Sequence, residues 1–321
     1  MSDRRIEGLT ELSPEAAEQV LGLIRAAAAE DGQGAVSEQG RLRVRRGARE
    51  GVRHLLLWVP GDNAAAGDGA APGDGGGDVL AGYGQLDGTD PVEAPAAELV
   101  VHPAYRNQGH GRALGTALLA ATGQRLRVWA HGGHPVARHL AARLGLKLFR
   151  ELRQMRRPLD PVLGDLAEPR LPAGVTVRTF VPGQDDAAWL AVNAAAFAHH
   201  PEQGSLTQRD LDDRMAEPWF DPAGFFLAFR GPVLVGFHWT KVHAEEGGGV
   251  GEVYVLGVAP TEQGGGLGRA LTAIGLRHLA RDRGLRTAML YVDADNTPAV
   301  AVYERLGFRV HEVDLMYRTE S

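Results

Sequence analysis

The clearest hydrophobic pattern in this chain is a short apolar run followed by an apolar-periodic one. The run Glu252–Val258 is dominated by Val, Tyr and Leu, the composition of a strand buried on both faces. The stretch Leu267–Arg283 instead has apolar residues at the spacing of an amphipathic helix. The pattern therefore predicts a strand that leads through a turn into a helix.

The turn between them, Gln263–Gly268, reads Q-x-x-G-x-G. Glycine lets the backbone take positive φ and lets a ligand approach without a Cβ in the way. The free amides of the helix's first turn carry about half a positive charge, so the turn is a candidate seat for a phosphate or pyrophosphate. A glycine-rich turn alone is a weak signal in a chain with 43 glycines.

The same pattern occurs earlier in the chain, over Ala97–Leu114. Val101 corresponds to Val258 and Gly109 to Gly266, and both pairs are 157 residues apart (258 − 101 and 266 − 109). A repeat of this length indicates a duplicated domain rather than a solenoid unit. After each copy a helix, a strand, a helix ending in Arg-Leu-Gly and two short strands are predicted.

These alternating elements predict an α/β fold with a sheet of mixed strand direction, in two tandem domains. We place the domains at residues 1–158 and 175–321, with a linker at 159–174. The segment Pro60–Asp78 has nothing to bury and is predicted to be a disordered hairpin loop. Further strands are predicted at Arg5–Leu12, His54–Val59, Val79–Leu86, Leu126–Ala130 and Arg286–Val292, and further helices at Glu15–Glu30 after Ser13, from Ser37 and at Arg112–Arg125.

Composition narrows the classes of function. The chain of 321 residues is long enough for two domains, and its net charge of −6 leaves no basic surplus for nucleic acid as an obligate partner. No apolar run reaches the ~20 residues of a membrane span, and the N-terminus lacks the apolar core of a signal peptide. There is no cysteine, and the histidines lack metal-site spacing, so we expect a monomeric, cytoplasmic protein without a metal.

A second motif, Asn296–Phe308, reads N-x-x-A-x-x-x-Y-x-x-x-G-F. Asn296 stands where a helix N-cap belongs, and Ala299 and Tyr303, four residues apart, share one face of that helix. Together with the V-x-P-x-x-Q-x-x-G-x-G-R-A-L turn, this motif resembles the GNAT superfamily of acyl-CoA-dependent N-acetyltransferases. The resemblance implies tandem GNAT domains with acetyl-CoA as co-substrate.

Segments along nearly the whole chain further resemble the mycothiol synthase family, actinobacterial enzymes built from two GNAT domains. That family acetylates the cysteinyl amine of cysteinyl-glucosaminyl-inositol in the last step of mycothiol biosynthesis. The resemblance therefore implies a small-molecule thiol precursor as acceptor. The segments that carry the likeness are Ala35–Gln39, Ala196–Gly204, His238–His243, Gly251–Val258 and Leu290–Asn296.

The resemblance assigns the glycine turn to the CoA pyrophosphate and the end of the preceding strand to the pantetheine arm. The pantetheine contact requires a strand that stops pairing with its parallel neighbour, so that its free amides can bond the ligand. The cofactor-binding residues are then Leu256, Gly257, Val258, Gln263, Gly264, Gly265, Gly266, Leu267, Gly268, Arg269, Asn296 and Ala299 in the C-terminal copy, and Leu99, Val100, Val101, Arg106, Asn107, Gln108, Gly109, His110, Gly111 and Arg112 in the N-terminal copy.

Acyl transfer to an amine removes a proton from the nucleophile and supplies one to the leaving thiolate. Glu252 is the candidate base, because a carboxylate acting through water can deprotonate an α-amine with a pKa of roughly 7.7–8.0. It stands six residues before Val258, which puts both on one face if the strand is regular. The resemblance makes Tyr303 the acid. A solvent-facing glutamate and a core tyrosine are the alternative interpretations.

The resemblance also implies a substrate held by carboxylate acceptors and a few donors, partly across the domain interface. Two other functions stay open: GNAT chemistry on another small amine or a protein N-terminus, and a non-catalytic CoA-binding sensor. A Rossmann dinucleotide enzyme is disfavoured, because the G-x-G-x-x-G spacing and the acidic residue after the next strand are missing. The substrate-binding residues implied are Glu38, Glu202, Lys241, Glu252 and Tyr291.

The two copies differ at the catalytic positions. The offset of 157 places Pro95 opposite Glu252, and an offset of 162 (307 − 145) places Ala141 opposite Tyr303. Neither Pro95 nor Ala141 can carry a proton, and Glu98 is an odd step from the required face of its strand. We therefore expect the N-terminal domain to bind acetyl-CoA without transferring from it.

Overall fold

The computed structural model describes residues 4–61, 77–90, 93–159, 168–198, 201–243 and 249–320. The loop predicted to be disordered falls almost wholly outside these ranges. In the described ranges, no helix is long and apolar enough to cross a membrane, and no group of three or more histidine or acidic residues could hold a metal ion. The chain forms two compact units: unit 1 is residues 1–151 together with 313–321, and unit 2 is residues 152–312.

Strands and helices alternate in both units, which confirms the predicted α/β class. The strands are β1 Arg5–Leu9, β2 Val52–Pro60, β3 Asp78–Asp87, β4 Ala96–Val101, β5 Arg127–Ala130, β6 Lys147–Pro158, β7 Val175–Thr179, β8 Phe225–Arg230, β9 Val233–His243, β10 Val250–Val258, β11 Thr287–Asp293 and β12 Arg309–Arg318. The helices are α1 Pro14–Asp31, α2 Glu38–Arg45, α3 His110–Ala121, α4 Pro135–Arg143, α5 Asp186–Ala196, α6 Pro201–Gly204, α7 Gln208–Met215, α8 Leu267–Arg277 and α9 Thr297–Arg305.

Unit 1 is a mixed sheet in the order β1-β2-β3-β4-β5-β12. Strands β4 and β5 are parallel, and the other neighbours are antiparallel. Helix α1 packs on one face around Val100, and α3 packs on the other around Leu114. Ser13 and Ser37 cap α1 and α2 through their side chains, so both helices begin where the sequence predicts.

Unit 2 is a mixed sheet in the order β6-β11-β10-β9-β8-β7, with β10 and β11 parallel. Trp189 of α5 and Leu211 of α7 pack against Trp239 on one face, which we call the aromatic face. Residues of α8 and α9 pack against Leu290 on the other, which we call the aliphatic face. Helix α8 continues into a π-helical turn at His278–Asp282, so the predicted helix changes its hydrogen-bonding pattern before it ends.

The compact units do not follow the predicted domain boundaries at 158 and 175. Each copy ends in one long strand rather than the two short strands predicted, β6 in the first and β12 in the second. The segment Leu152–Pro158 of β6 pairs with β11 in unit 2, and the segment Leu315–Arg318 of β12 pairs with β5 in unit 1. Each long strand therefore leaves the unit in which it begins, which a boundary drawn from the repeat alone could not capture.

Strand β10 contains a β-bulge that the hydrophobic pattern does not reveal. Glu252 pairs with Lys241 of β9 and Val255 pairs with Trp239, so three steps along β10 span two steps along β9. Glu252 therefore lies on the aromatic face with Val255. The prediction that it shares a face with Val258 is wrong, because that prediction holds only for a regular strand.

Candidate active site

The two glycine turns have the same backbone conformation. In unit 2, Gly264 and Gly266 have φ of 82° and 86°; in unit 1, the equivalent Asn107 and Gly109 have φ of 63° and 81°. Left-handed residues at alternate positions turn successive N–H groups toward one concave side, a geometry that binds anions. Each turn leads directly into a helix, α8 or α3, whose first amides add to the positive potential.

In each unit, one side chain hydrogen-bonds the turn to the end of the preceding strand. The Gln263 side-chain amide donates to the Val258 carbonyl oxygen at 3.2 Å, and the Arg106 guanidinium donates to the Val101 carbonyl oxygen at the same distance. Arg106 also forms a two-fold ion pair with Asp31, at 2.6 and 2.8 Å. The residue at this position is therefore a cation in unit 1, Arg106, whose charge Asp31 partly balances. In unit 2 it is the neutral Gln263.

The parallel strands diverge just before each turn. Strands β10 and β11 pair from Gly251 with Ala288 as far as Val253 with Leu290. Beyond Val253, β10 continues to Val258 with ladder pairs to β9. In the described part of the chain, that stretch has no ladder pairs to β11, which is the geometry that a pantetheine arm requires.

Unit 1 diverges in the same way after its two parallel pairs and encloses a cavity of about 410 Å³ at the opening. His110 lines this cavity and is 1% exposed, and neither of its ring nitrogens has a hydrogen-bond partner among the described residues. The equivalent residue of unit 2, Leu267, is an ordinary core residue. The cavity is lined by most of the residues predicted to bind CoA in this copy, Leu99, Val100, Val101, Arg106, Asn107, Gly109, His110 and Gly111, but not by Gln108 or Arg112.

In unit 2, three of the residues predicted to bind the substrate, Glu252, Lys241 and Tyr291, lie on the aromatic face. Glu252 is 6% exposed, and its Oε2 lies 2.6 Å from Nε2 of His243. Lys241 is the cross-strand neighbour of Glu252, and its Nζ lies 4.6 Å from the ring centre of Trp219. Tyr291 is on β11, 41% exposed, and its hydroxyl accepts a hydrogen bond of 2.9 Å from the amide of Gln154.

The other two predicted substrate residues lie on other elements of the chain. Glu38 is the first residue of α2, in unit 1. Glu202 lies in the short helix α6, and its side chain is outside what the structure describes.

Tyr303 lies on α9 and packs against the aliphatic face, with its ring edge-on to Phe308. Burial raises the pKa of Tyr303 to about 12. Asn296 caps the helix, because its side chain accepts a hydrogen bond of 3.2 Å from the Ala299 amide, as the motif predicts. Glu252 and Tyr303 thus belong to opposite faces of the sheet. Glu252 is one residue before the last β10–β11 pair, where the opening between the strands begins.

The structure corrects one alignment between the copies and leaves the other unchanged. In the parallel ladder of unit 1, Ala96 pairs with Arg127, and in the equivalent ladder of unit 2, Glu252 pairs with Met289. The counterpart of Glu252 is therefore Ala96, not Pro95. The bulge in β10 causes this change of one residue. The counterpart of Tyr303 remains Ala141, because α4 and α9 begin and end 162 residues apart (297 − 135 and 305 − 143).

Glu98 is on the face that corresponds to that of Glu252, contrary to the sequence-based interpretation. It accepts hydrogen bonds from the Ser37 amide at 2.8 Å and from Nε2 of His131 at 2.7 Å. His131 also contacts Asp314 at 3.2 Å. Burial alone would lower the pKa of His131, but the hydrogen bonds to Asp314 and Glu98 outweigh it and raise the pKa to about 10. His131 is therefore protonated at neutral pH, and Glu98, the only carboxylate on β4, is already hydrogen-bonded.

Sequence reasoning did not single out His243 or Trp219. His243 ends the segment His238–His243 that carries part of the family resemblance, two residues after Lys241 and therefore on the same face of β9. That alternation places His243 on the same face as Lys241, but its contact with Glu252 also depends on the register between β9 and β10. For Trp219, which precedes β8 outside any strand or helix, the sequence gives no comparable signal.

Comparisons with known proteins agree with this geometry. Residues 193–308 match the model of the acetyltransferase (GNAT) family. The chain is 73% identical to a mycothiol acetyltransferase of Streptomyces avermitilis over 99% of this chain and 96% of that protein, and 50% identical to one of Acidothermus cellulolyticus over 98% and 94%.

Solved structures show the same fold at lower sequence identity. A tandem GNAT protein from the clavulanic acid biosynthesis pathway superposes with a TM-score of 0.69 at 21% identity, covering 98% of both chains. A GCN5-related N-acetyltransferase from Sphaerobacter thermophilus gives a TM-score of 0.62 at 23% identity, covering 98% of this chain and 95% of that one. The fold is therefore a tandem GNAT fold. On the identity and coverage of its relatives, the chain belongs to the mycothiol acetyltransferase family.

Proposed function

We propose that this protein transfers the acetyl group of acetyl-CoA to the cysteinyl amine of cysteinyl-glucosaminyl-inositol, and that unit 2 carries the reaction. The observation that carries the proposal is the position of Glu252, a buried carboxylate beside the point where β10 and β11 diverge. The family relationship supports the choice of acceptor, and the cluster around Glu252 supports the type of chemistry. Fold alone would not determine the acceptor.

The backbone of unit 2 is suited to hold acetyl-CoA. The amides of the turn Gly264–Gly268 and the first turn of α8 would bind the pyrophosphate, and the edge of β10 from Leu256 to Val258 would bond the pantetheine amides. When bound there, acetyl-CoA supplies a thioester that an amine can attack. Asn296 and Ala299, at the start of α9, are the other residues proposed to contact the cofactor.

The aromatic face supplies the base and the acceptor site. Glu252 takes the proton that the attacking amine loses, directly or through one water molecule. Lys241 and Tyr291 offer an ammonium and a hydroxyl to the many hydroxyl groups of the sugar-cyclitol. Because the strands diverge after Val253, an amine on this face can reach a thioester that lies in the opening.

Tyr303 supplies the acid from the other side of the opening. A phenol with a pKa of about 12 stays protonated throughout the neutral range and can donate to the thiolate as it leaves. The placement of Glu252 and Tyr303 on opposite faces fits a reaction in the gap between the strands. It would not fit a site on either face alone.

Unit 1 is proposed to bind acetyl-CoA without transferring from it. Its turn and its diverging strands match those of unit 2, and it has a cavity at the opening between the strands. Ala96 and Ala141 replace the two proton carriers, and Glu98 is held by Ser37 and His131. A second bound acetyl-CoA would therefore be retained rather than consumed.

The test is turnover of cysteinyl-glucosaminyl-inositol by the wild type and by Glu252→Gln and Tyr303→Phe, with acetyl-CoA consumption and N-acetyl product both measured. Each variant should lose about 100-fold or more in kcat while still binding CoA. A panel of other small amines and of peptides with free N-termini is assayed alongside. Faster turnover of one of these would replace the proposed acceptor, and unchanged activity in both variants would remove the proposed chemistry.

A further inference from the structure

His243 is the residue in direct contact with the proposed base. Its Nε2 lies 2.6 Å from Oε2 of Glu252, a short distance for a nitrogen–oxygen hydrogen bond. The side chain of Glu252 is 7% exposed and that of His243 is 28% exposed, so the imidazole contacts solvent more than the carboxylate does. The two residues lie on adjacent antiparallel strands, β9 and β10, which fix their separation.

We propose that His243 is a positioning residue for the acetyl transfer: it donates its Nε2–H to Oε2 of Glu252 and leaves Oε1 to accept the proton of the amine. This inference rests on the proposed function of Glu252. A carboxylate that is free to rotate presents either oxygen in many orientations. A single strong hydrogen bond to one oxygen fixes the rotamer and determines which oxygen is the base.

The surroundings of Glu252 favour this role for His243. Lys241, the cross-strand neighbour, has its ammonium over the rings of Trp219 and Tyr254, at 4.6 and 5.2 Å. The Tyr254 hydroxyl in turn accepts a hydrogen bond of 2.9 Å from Arg214. Lys241 and Arg214 thus both contact aromatic side chains of this face, and among the described residues His243 is a group within hydrogen-bond distance of the carboxylate.

On the aromatic face, the described titratable groups of the neighbouring elements include Lys241 and His243 of β9, Tyr254 of β10 and Tyr291 of β11, with Arg214 of α7 hydrogen-bonded to Tyr254. Among them, His243 is the one whose hydrogen bond to Glu252 the structure gives, at 2.6 Å. Its removal should therefore change the acidic limb of the rate profile, because the ionised carboxylate loses a donor that stabilises it.

The experiment compares three substitutions of His243 in the full chain. His243→Gln keeps an N–H donor. His243→Phe removes the donor but keeps an aromatic ring, and His243→Ala removes both the donor and the ring. We expect Phe and Ala to lower kcat by about 10–100-fold and leave the KM for acetyl-CoA within about twofold, because a hydrogen bond to a charged group is lost. We expect Gln to stay within about threefold of the wild type. His311→Gln, an exposed histidine of the same unit, is the matched control and should change nothing.

The pH profile separates positioning from a purely structural role. In the Phe and Ala variants the acidic limb of kcat/KM should move to higher pH, while thermal unfolding shows that the fold is intact. The proposal is overturned if His243→Phe or His243→Ala is folded and has the kcat and pH profile of the wild type. It is also overturned if His243→Gln loses as much activity as His243→Ala. Glu252→Gln is measured in the same series: if it is fully active, the assignment of the base fails, and if it is inactive while His243→Ala is normal, only the role of His243 fails.

Discussion

The substitution Gly266→Ala would test whether the turn of unit 2 binds CoA through its left-handed backbone. Gly266 has φ of +86°, and a Cβ added there meets no heavy atom within 4 Å in the part of the chain that the structure describes. The substitution therefore adds conformational strain without a clash. A left-handed conformation costs a non-glycine residue about 1–2 kcal/mol.

This strain determines the expected loss of affinity. The turn is exposed, so in the free protein the alanine can relax to an ordinary conformation, and binding must then restore the left-handed one. A cost of about 1–2 kcal/mol corresponds to about a 5- to 30-fold increase in the dissociation constant for CoA. The KM for acetyl-CoA should rise by a similar factor, and kcat should change little.

The chain offers two matched controls for this prediction. Gly265 has no positive φ, and its added Cβ would be 3.6 Å from the Glu262 carbonyl oxygen, an ordinary contact, so Gly265→Ala should change the dissociation constant by less than about twofold. Gly109 is the unit 1 equivalent, with φ of +81°. Gly109→Ala should weaken binding at one site while kcat and KM stay at the wild-type values.

The assay is calorimetric titration with CoA, which gives stoichiometry and affinity, combined with steady-state kinetics. The wild type should bind two CoA per chain, and Gly266→Ala and Gly109→Ala should each weaken a different one. Equal losses in Gly265→Ala and Gly266→Ala would refute the argument from backbone strain. A fall in kcat in Gly109→Ala would refute the division of roles between the two units.

Two further predictions concern titratable groups. Because burial raises the pKa of Tyr303 to about 12, the wild-type rate should show no loss from this group up to about pH 10, which a pH–rate profile checks. Tyr303→Phe should lower kcat without changing the CoA dissociation constant, which steady-state kinetics and calorimetric titration check. The pKa of His131 is raised to about 10, so the stability that its protonated form contributes is complete below about pH 6.5 and is lost as the pH rises through 10. In urea unfolding, His131→Asn should therefore lower the free energy of unfolding by about 3–5 kcal/mol at pH 6 and by much less at pH 10.5. An equal decrease at both pH values would contradict this.

The sequence predicts the features that depend on local backbone chemistry. The repeat of 157 residues identifies the paired turns, and the left-handed residues fall at equivalent positions, including Asn107 opposite Gly264. Cap residues predict the starts of α1, α2 and α9, because a side-chain oxygen before a helix has a direct partner in its first turn.

Features that depend on pairing between strands are missed. The bulge in β10 leaves the apolar composition of the strand intact, so nothing in the sequence signals that Glu252 changes face. The same bulge moves its counterpart from Pro95 to Ala96. The contact between His243 and Glu252 depends on the register of β9 against β10, which periodicity does not give. The predicted disorder of residues 60–78 concerns a segment that lies mostly outside the described residues.

The exchange of the long strands has a consequence for biosynthesis. The strand that covers the edge at Arg127–Ala130 is Leu315–Arg318, and the ribosome makes it after all of unit 2. A nascent chain must therefore keep this sheet edge open, where it can pair with other strands, until residues 315–318 emerge. A gene cut at the repeat boundary would leave His131 without Asp314, so we expect neither half to be a self-sufficient protein.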